Sequence, residues 1–278
     1  HVSGGFNTSI VAGMGNGTDD GGGLVLLSGT SANYSTGNIA VATNTGPASS
    51  GDVAIYTGEA STSGTSGSVF INTGAAAYHG TGSIVLRTGD AEGGDSGALD
   101  LVAGHSAGGE GGSVRVVAGA SSLSTGLEGG SVYVAGGQGK LTGGHVAITS
   151  GAGTSTSSGD VSITSAASTA GVTGGLVFSS GVATSGDSGA IVVGSGAASN
   201  GVAGSITIQV GDSNSGVGGG IVMVAGTTAS SGLSGGDITV AGGDGGTTGG
   251  SLTMSGGQGK LTGGHVVITS GAGTATSS

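Results

Sequence analysis

Five histidines, fifteen carboxylates, a few lysines and many serines are the residues that could do chemistry in this chain of 278. The histidines are His1, His79, His105, His145 and His265. His145 and His265 occupy the same place in two copies of one segment, 120 residues apart, and do not share a metal. No serine has a histidine and an acid at a spacing that would build a nucleophilic triad. Gly139-Lys140-Leu141-Thr142 resembles a phosphate loop only in its glycine and lysine. It lacks the adjacent Lys-Ser/Thr pair and does not open a helix, so it is read as a corner turn. The acids cluster in glycine-rich stretches such as Asp90-Ala91-Glu92-Gly93-Gly94-Asp95 and Gly242-Gly243-Asp244-Gly245. Such oxygen-rich corners are suited to weak Ca2+ binding, but they do not recur at one repeat position and the calcium-roll nonapeptide is missing. The reading is therefore no enzyme, no catalytic residue, no cofactor and no dedicated metal site.

Composition excludes further classes. Without cysteine there is no disulfide scaffold and no thiolate zinc site. Four basic residues against fifteen acidic ones argue against binding nucleic acid. No run of about 20 apolar residues suggests a helical membrane span. The 71 glycines do not follow a collagen period. Three glycosylation triplets, beginning at Asn7, Asn16 and Asn33, fall within the first 35 residues and agree with a secreted, extracellular protein.

The order of the residues carries more than their proportions. Gly67-Ser68-Val69-Phe70-Ile71-Asn72-Thr73-Gly74 defines a unit: an opening glycine, two apolar positions separated by one variable position, and a closing glycine. The first apolar position recurs 18 times, from Thr8 through Val69, Ile84 and Leu99 to Val266, at a mean spacing near 15 residues. It is apolar in every copy but Thr8, and the second apolar position is apolar in all 18. A longer duplication lies over this one. Gly136-Gly137-Gln138-Gly139-Lys140-Leu141-Thr142-Gly143-Gly144-His145-Val146 is repeated at 256–266, eight short repeats later.

Alternation with period two, with Val and Ile at the apolar positions, is the signal of a short strand. Glycines on either side permit tight corners. One repeat cannot bury its apolar face alone, whereas stacked repeats share a continuous core. The expected fold is all-β: a single parallel β-solenoid of about 18 coils with a repeat of about 15 residues. Residues 1–278 are read as one continuous array, a fragment of a longer chain. Ladders such as Val53, Val69 and Ile84 would face inward, and Phe178 would need small neighbours. Longer spacings after Val114 and Ile221 should bulge at 123–129 and 230–235.

The variable positions would face outward, and charge is nearly absent there. Phe70, Val85, Tyr133, Val177, Val192 and Val222 form the candidate lateral interface. A weakly polar face of that kind calls for a partner. The expected partners are the chain itself or homologous repeat chains, side by side and end to end, with surface glycans as a further class.

The repeat resembles the Gly/Ser/Thr-rich β-solenoid arrays of secreted cell-surface proteins. Strings such as Gly159-Asp160-Val161-Ser162-Ile163-Thr164-Ser165 are similar in texture to algal and stramenopile surface repeat proteins. Bacterial solenoid adhesins are similar in principle. The resemblance implies an extracellular structural protein: a stiff, self-associating rod that forms a filament, a surface appendage such as a flagellar hair shaft, or a cell-wall layer. An adhesin stalk or passenger domain is the alternative. Ice binding comes third, because outward threonines such as Thr149, Thr207 and Thr239 do not align in paired rows. On the solenoid reading, Ile71→Asp buries a carboxylate at a cost on the order of several kcal/mol, while Asn72→Asp costs little.

Overall fold

The computed structural model describes residues 8–15, 20–47, 49–61, 64–122 and 128–271. Among these there is no helix and no strand. The expected β-solenoid is therefore wrong. A solenoid needs backbone pairs between positions one repeat apart, near 15 residues. The backbone hydrogen bonds present join residues three to eleven apart and close the linkers between repeats. Apolar alternation tells which side chains share a face, but it does not supply the N–H and C=O pairing that makes a ladder.

Burial agrees with the absence of a ladder. No described side chain is buried. The accessible surface is 27147 Å², against about 10,000 Å² for a compact monomer of the same mass. The two-sided character of the repeat nevertheless survives. The first apolar row is the better covered: Ile84 is 50% exposed, whereas the neighbouring variable position Phe70 of the preceding repeat is 86% exposed. The row meant to be the inner ladder is thus half in solvent.

The chain divides into two units, His1–Val146 and Ala147–Ser278. In the first, extended segments alternate with bends at 32–34, 77–79, 92–94, 107–109 and 140–142. In the second, the bends fall at 154–156, 169–171, 184–186, 199–201, 214–216, 230–232, 246–248 and 260–261. The bend at 230–232 lies within the longer linker at 230–235. There Leu233 N–H donates to the Ser230 carbonyl at 3.5 Å, and Gly232 takes a φ of 85°, which favours glycine. Of the other long linker, residues 123–127 lie outside the described residues.

One interaction organises both units. The closing glycine of a repeat accepts a hydrogen bond from the opening glycine of the next. Gly112 donates to Gly104 at 2.9 Å, Gly130 to Gly119 at 2.8 Å and Gly236 to Gly226 at 2.9 Å. The clamp forms at some junctions and not at others, and the residue before the closing glycine is one factor: after serine it is made at Gly29 and Gly151 but not at Gly181 or Gly196. Where it is Ala12, Ala103, Ala118 or Ala225, the clamp is present. Where it is Thr57, Thr73 or Thr88, no such bond is made. The reason is space: a Cβ at Gly112 would lie 3.2 Å from Ala103 Cβ, so the two backbones already touch through the alanine methyl. At Gly82 the nearest neighbour is Thr73 Cγ2, which stands between the backbones instead.

Amide hydrogen exchange checks this directly. Gly112, Gly130 and Gly236 should exchange more slowly than Gly82 and Gly97. Ala103→Thr should remove the protection of Gly112, and Thr88→Ala should introduce it at Gly97. Ile71 is 66% exposed, so Ile71→Asp and Asn72→Asp should each change the dilute chain by less than about 0.5 kcal/mol.

Candidate functional site

The tightest linkers belong to the duplicated segment. In 136–144, Gly144 donates to the Gly137 carbonyl at 2.8 Å, and in 256–264 Gly264 donates to Gly257 at 2.8 Å. Here the residue before the closing glycine is itself glycine, Gly136 or Gly256, and the approach is closest. A Cβ on Gly136 would overlap the Gly144 carbonyl, and one on Gly139 would overlap the Thr142 carbonyl. The same two collisions recur at Gly256 and Gly259. Segment 242–250 has the same frame: Gly250 donates to Gly243 at 2.8 Å, and Gly242 and Gly245 have no room for a side chain. Lys140-Leu141 and Lys260-Leu261 sit at the bends of the two duplicated loops and are exposed. They form corner turns, as the sequence suggests, with no helix N-terminus near them to receive a phosphate.

The six residues of the expected lateral interface, Phe70, Val85, Tyr133, Val177, Val192 and Val222, are all exposed, from 73% to 91%. Phe70, Val85 and Tyr133 belong to the first unit and Val177, Val192 and Val222 to the second. Of the glycosylation triplets, Asn33 is exposed at the bend 32–34, where Tyr34 N–H donates to Ser31 Oγ at 3.0 Å. Asn7 and Asn16 lie outside the described residues. His79, His105, His145 and His265 are exposed, as are Asp90, Glu92, Asp95 and Asp244 in the acidic linkers. Among the described residues, no three His, Asp or Glu side chains gather closely enough to hold a metal.

A feature the sequence reading did not single out lies in the second unit. Phe178, Ile191, Val192, Val193 and Gly194 line an open apolar cavity of about 490 Å³. Its walls come from two successive repeats; Phe178 is the one aromatic residue in the second apolar column, and Gly194 is the one glycine in the variable column that follows it. Phe178, expected to need small neighbours, remains largely exposed rather than enclosed. The linker joining the two walls, 179–190, carries a single charge, Asp187, which is exposed.

In comparisons with family models, with curated proteins and with solved structures, nothing matches the chain.

The loop frame gives a sharp expectation. Gly139→Ala and Gly259→Ala should open the duplicated loops and lower the exchange protection of Gly144 and Gly264 by roughly tenfold, equivalent to about 1.4 kcal/mol. Gly137→Ala, whose Cβ would meet nothing within 4 Å, should leave it in place.

Proposed function

We propose that the chain is an extracellular structural repeat protein that associates with further copies of itself, building a filament or a surface layer. The observation that carries this reading is the exposure of the whole apolar row system in the single chain, with almost no charge among it. Val85, Val177, Val192 and Val222 stand in water, as do the half-covered Ile84 and Val266. Covering about 400 Å² of such surface is worth on the order of 10 kcal/mol gross. Association entropy and side-chain ordering take back a large part. Repetition along the chain then adds contacts within one encounter, which raises avidity without any single strong contact. An extracellular setting is supported by the accessible Asn33 triplet.

The test is the triple variant Val85→Lys, Val177→Lys and Val222→Lys, followed by light scattering and imaging over a concentration series. The variant should need at least about tenfold more protein to associate. Three added cations weaken the repulsion of a chain with net charge −11, so reduced association would not come from charge alone. For the same reason, added salt should promote association of the unaltered chain by screening its acids. Unchanged association of the triple variant would remove the outward valines from the interface.

A further inference from the structure

We propose that Gln138 and Gln258 are the acyl donors, and Lys140 and Lys260 the acyl acceptors, of isopeptide cross-links between copies of this chain, made by an enzyme of the transglutaminase type. The link between copies rests on the self-association reading and names the covalent step that fixes it.

The placement of the reacting groups carries the inference. The chain has three glutamines, Gln138, Gln209 and Gln258, and two lysines, Lys140 and Lys260. Two of the glutamines and both lysines stand in the duplicated loops, each lysine two residues after its glutamine. All four side chains are exposed, and the lysines lie at the bends. One loop belongs to each unit. The loop frame does not need these residues. Segment 242–250 has the same closing bond and the same two glycines without room for a side chain. Yet it carries Asp244 at the place of the glutamine, Gly246 at the place of the lysine and Thr247 at the place of Leu141. A carboxamide and a primary amine held in solvent on a closed loop are the two halves of an acyl transfer. The rest of the chain offers one glutamine and no lysine.

Access separates the loop glutamines from the third. An attacking thiolate must reach the carboxamide carbon. Gln138 is flanked by Gly137 and Gly139, and Gln258 by Gly257 and Gly259, so no neighbouring side chain covers the approach. A Cβ at Gly137 or Gly257 would meet nothing within 4 Å, so that side of each glutamine is open. Gln209 instead sits in an extended segment between the β-branched residues Ile208 and Val210, and Val210 already crowds Gly219 of the next linker. The chemistry closes without an oxidant or a reductant. The enzyme thiolate attacks the glutamine γ-carboxamide carbon, the C–N bond breaks, and ammonia leaves after taking a proton. The neutral lysine amine then attacks the thioester, loses a proton, and releases the thiolate as the isopeptide forms. Two donors and two acceptors per copy, on loops eight repeats apart, let one chain be joined to more than one neighbour.

The experiment treats the unaltered chain with a calcium-dependent transglutaminase and a fluorescent primary amine, and reads the labelled glutamines by mass spectrometry. Gln138 and Gln258 should take up the amine about tenfold faster than Gln209. Without the amine, isotopically heavy and light chains mixed at an associating concentration should give heavy–light isopeptides from Gln138 or Gln258 to Lys140 or Lys260. Lys140→Arg with Lys260→Arg keeps the charge and removes the primary amine. It should abolish those links and leave amine uptake unchanged. Uptake at Gln209 equal to that in the loops, or links confined to a single label, would overturn the proposal. Light scattering without the enzyme separates the two readings. A chain that associates but forms no heavy–light link sinks the cross-link and leaves self-association standing. A chain that stays monomeric at every concentration would overturn both.

Discussion

A hydrogen bond between two glycines governs what this chain can form. The opening glycine of one repeat must come within 3.1 Å of the closing glycine carbonyl of the repeat before it. Two backbones come so near only when the side chains around the junction are absent or no larger than a methyl or hydroxymethyl group. Gly136, Ala103 and Ser28 meet that limit and Thr73 does not. The abundance of glycine thus has a local steric cause at these junctions. The same bond keeps the contacts of each linker to itself. Backbone groups spent on closing a short loop do nothing to align one apolar row with the next, and the rows stay open to solvent.

Much of the organisation was legible in the sequence. The period, the alternation of Val and Ile with variable residues, and the longer linker around residue 230 all correspond to features of the backbone. The better coverage of Ile84 relative to Phe70 follows the same alternation. What was not legible was the pairing of the backbone. Alternation is a statement about faces, and a solenoid, a flat assembly of several chains and an unpaired extended segment satisfy it equally. The β-solenoid inference added an assumption of pairing between repeats, and the linker bonds took a different partner.

The candidate site was legible to a similar depth. Phe178 stood out as oversized for its column and in need of small neighbours, but nothing in the sequence singled out which residues those would be. The hollow is lined by residues of two adjacent repeats, and no single column reveals it. Lys140 and Leu141 drew notice only as an unsuccessful phosphate loop. Their isolation from the loop frame emerges from comparison with Gly246 and Thr247, which needs the shared geometry of the two segments and not only their glycine spacing. Electrostatics follows the same division. The acids sit in the linkers, and the extended segments carry few charges, so like-charge repulsion acts at the bends and leaves the apolar rows free to meet a partner.

Closure within each linker has a consequence for how such a chain can change length. Gly104 and Gly112 find one another without reference to any distant residue. Excising or inserting a whole repeat therefore breaks no long-range pairing and leaves every remaining junction intact. Copy number becomes a free variable, open to unequal recombination between near-identical stretches of coding sequence. The identity of 136–146 with 256–266 is the trace that such an event leaves behind. A protein built this way can be lengthened or shortened over generations while each junction keeps the chemistry it already had.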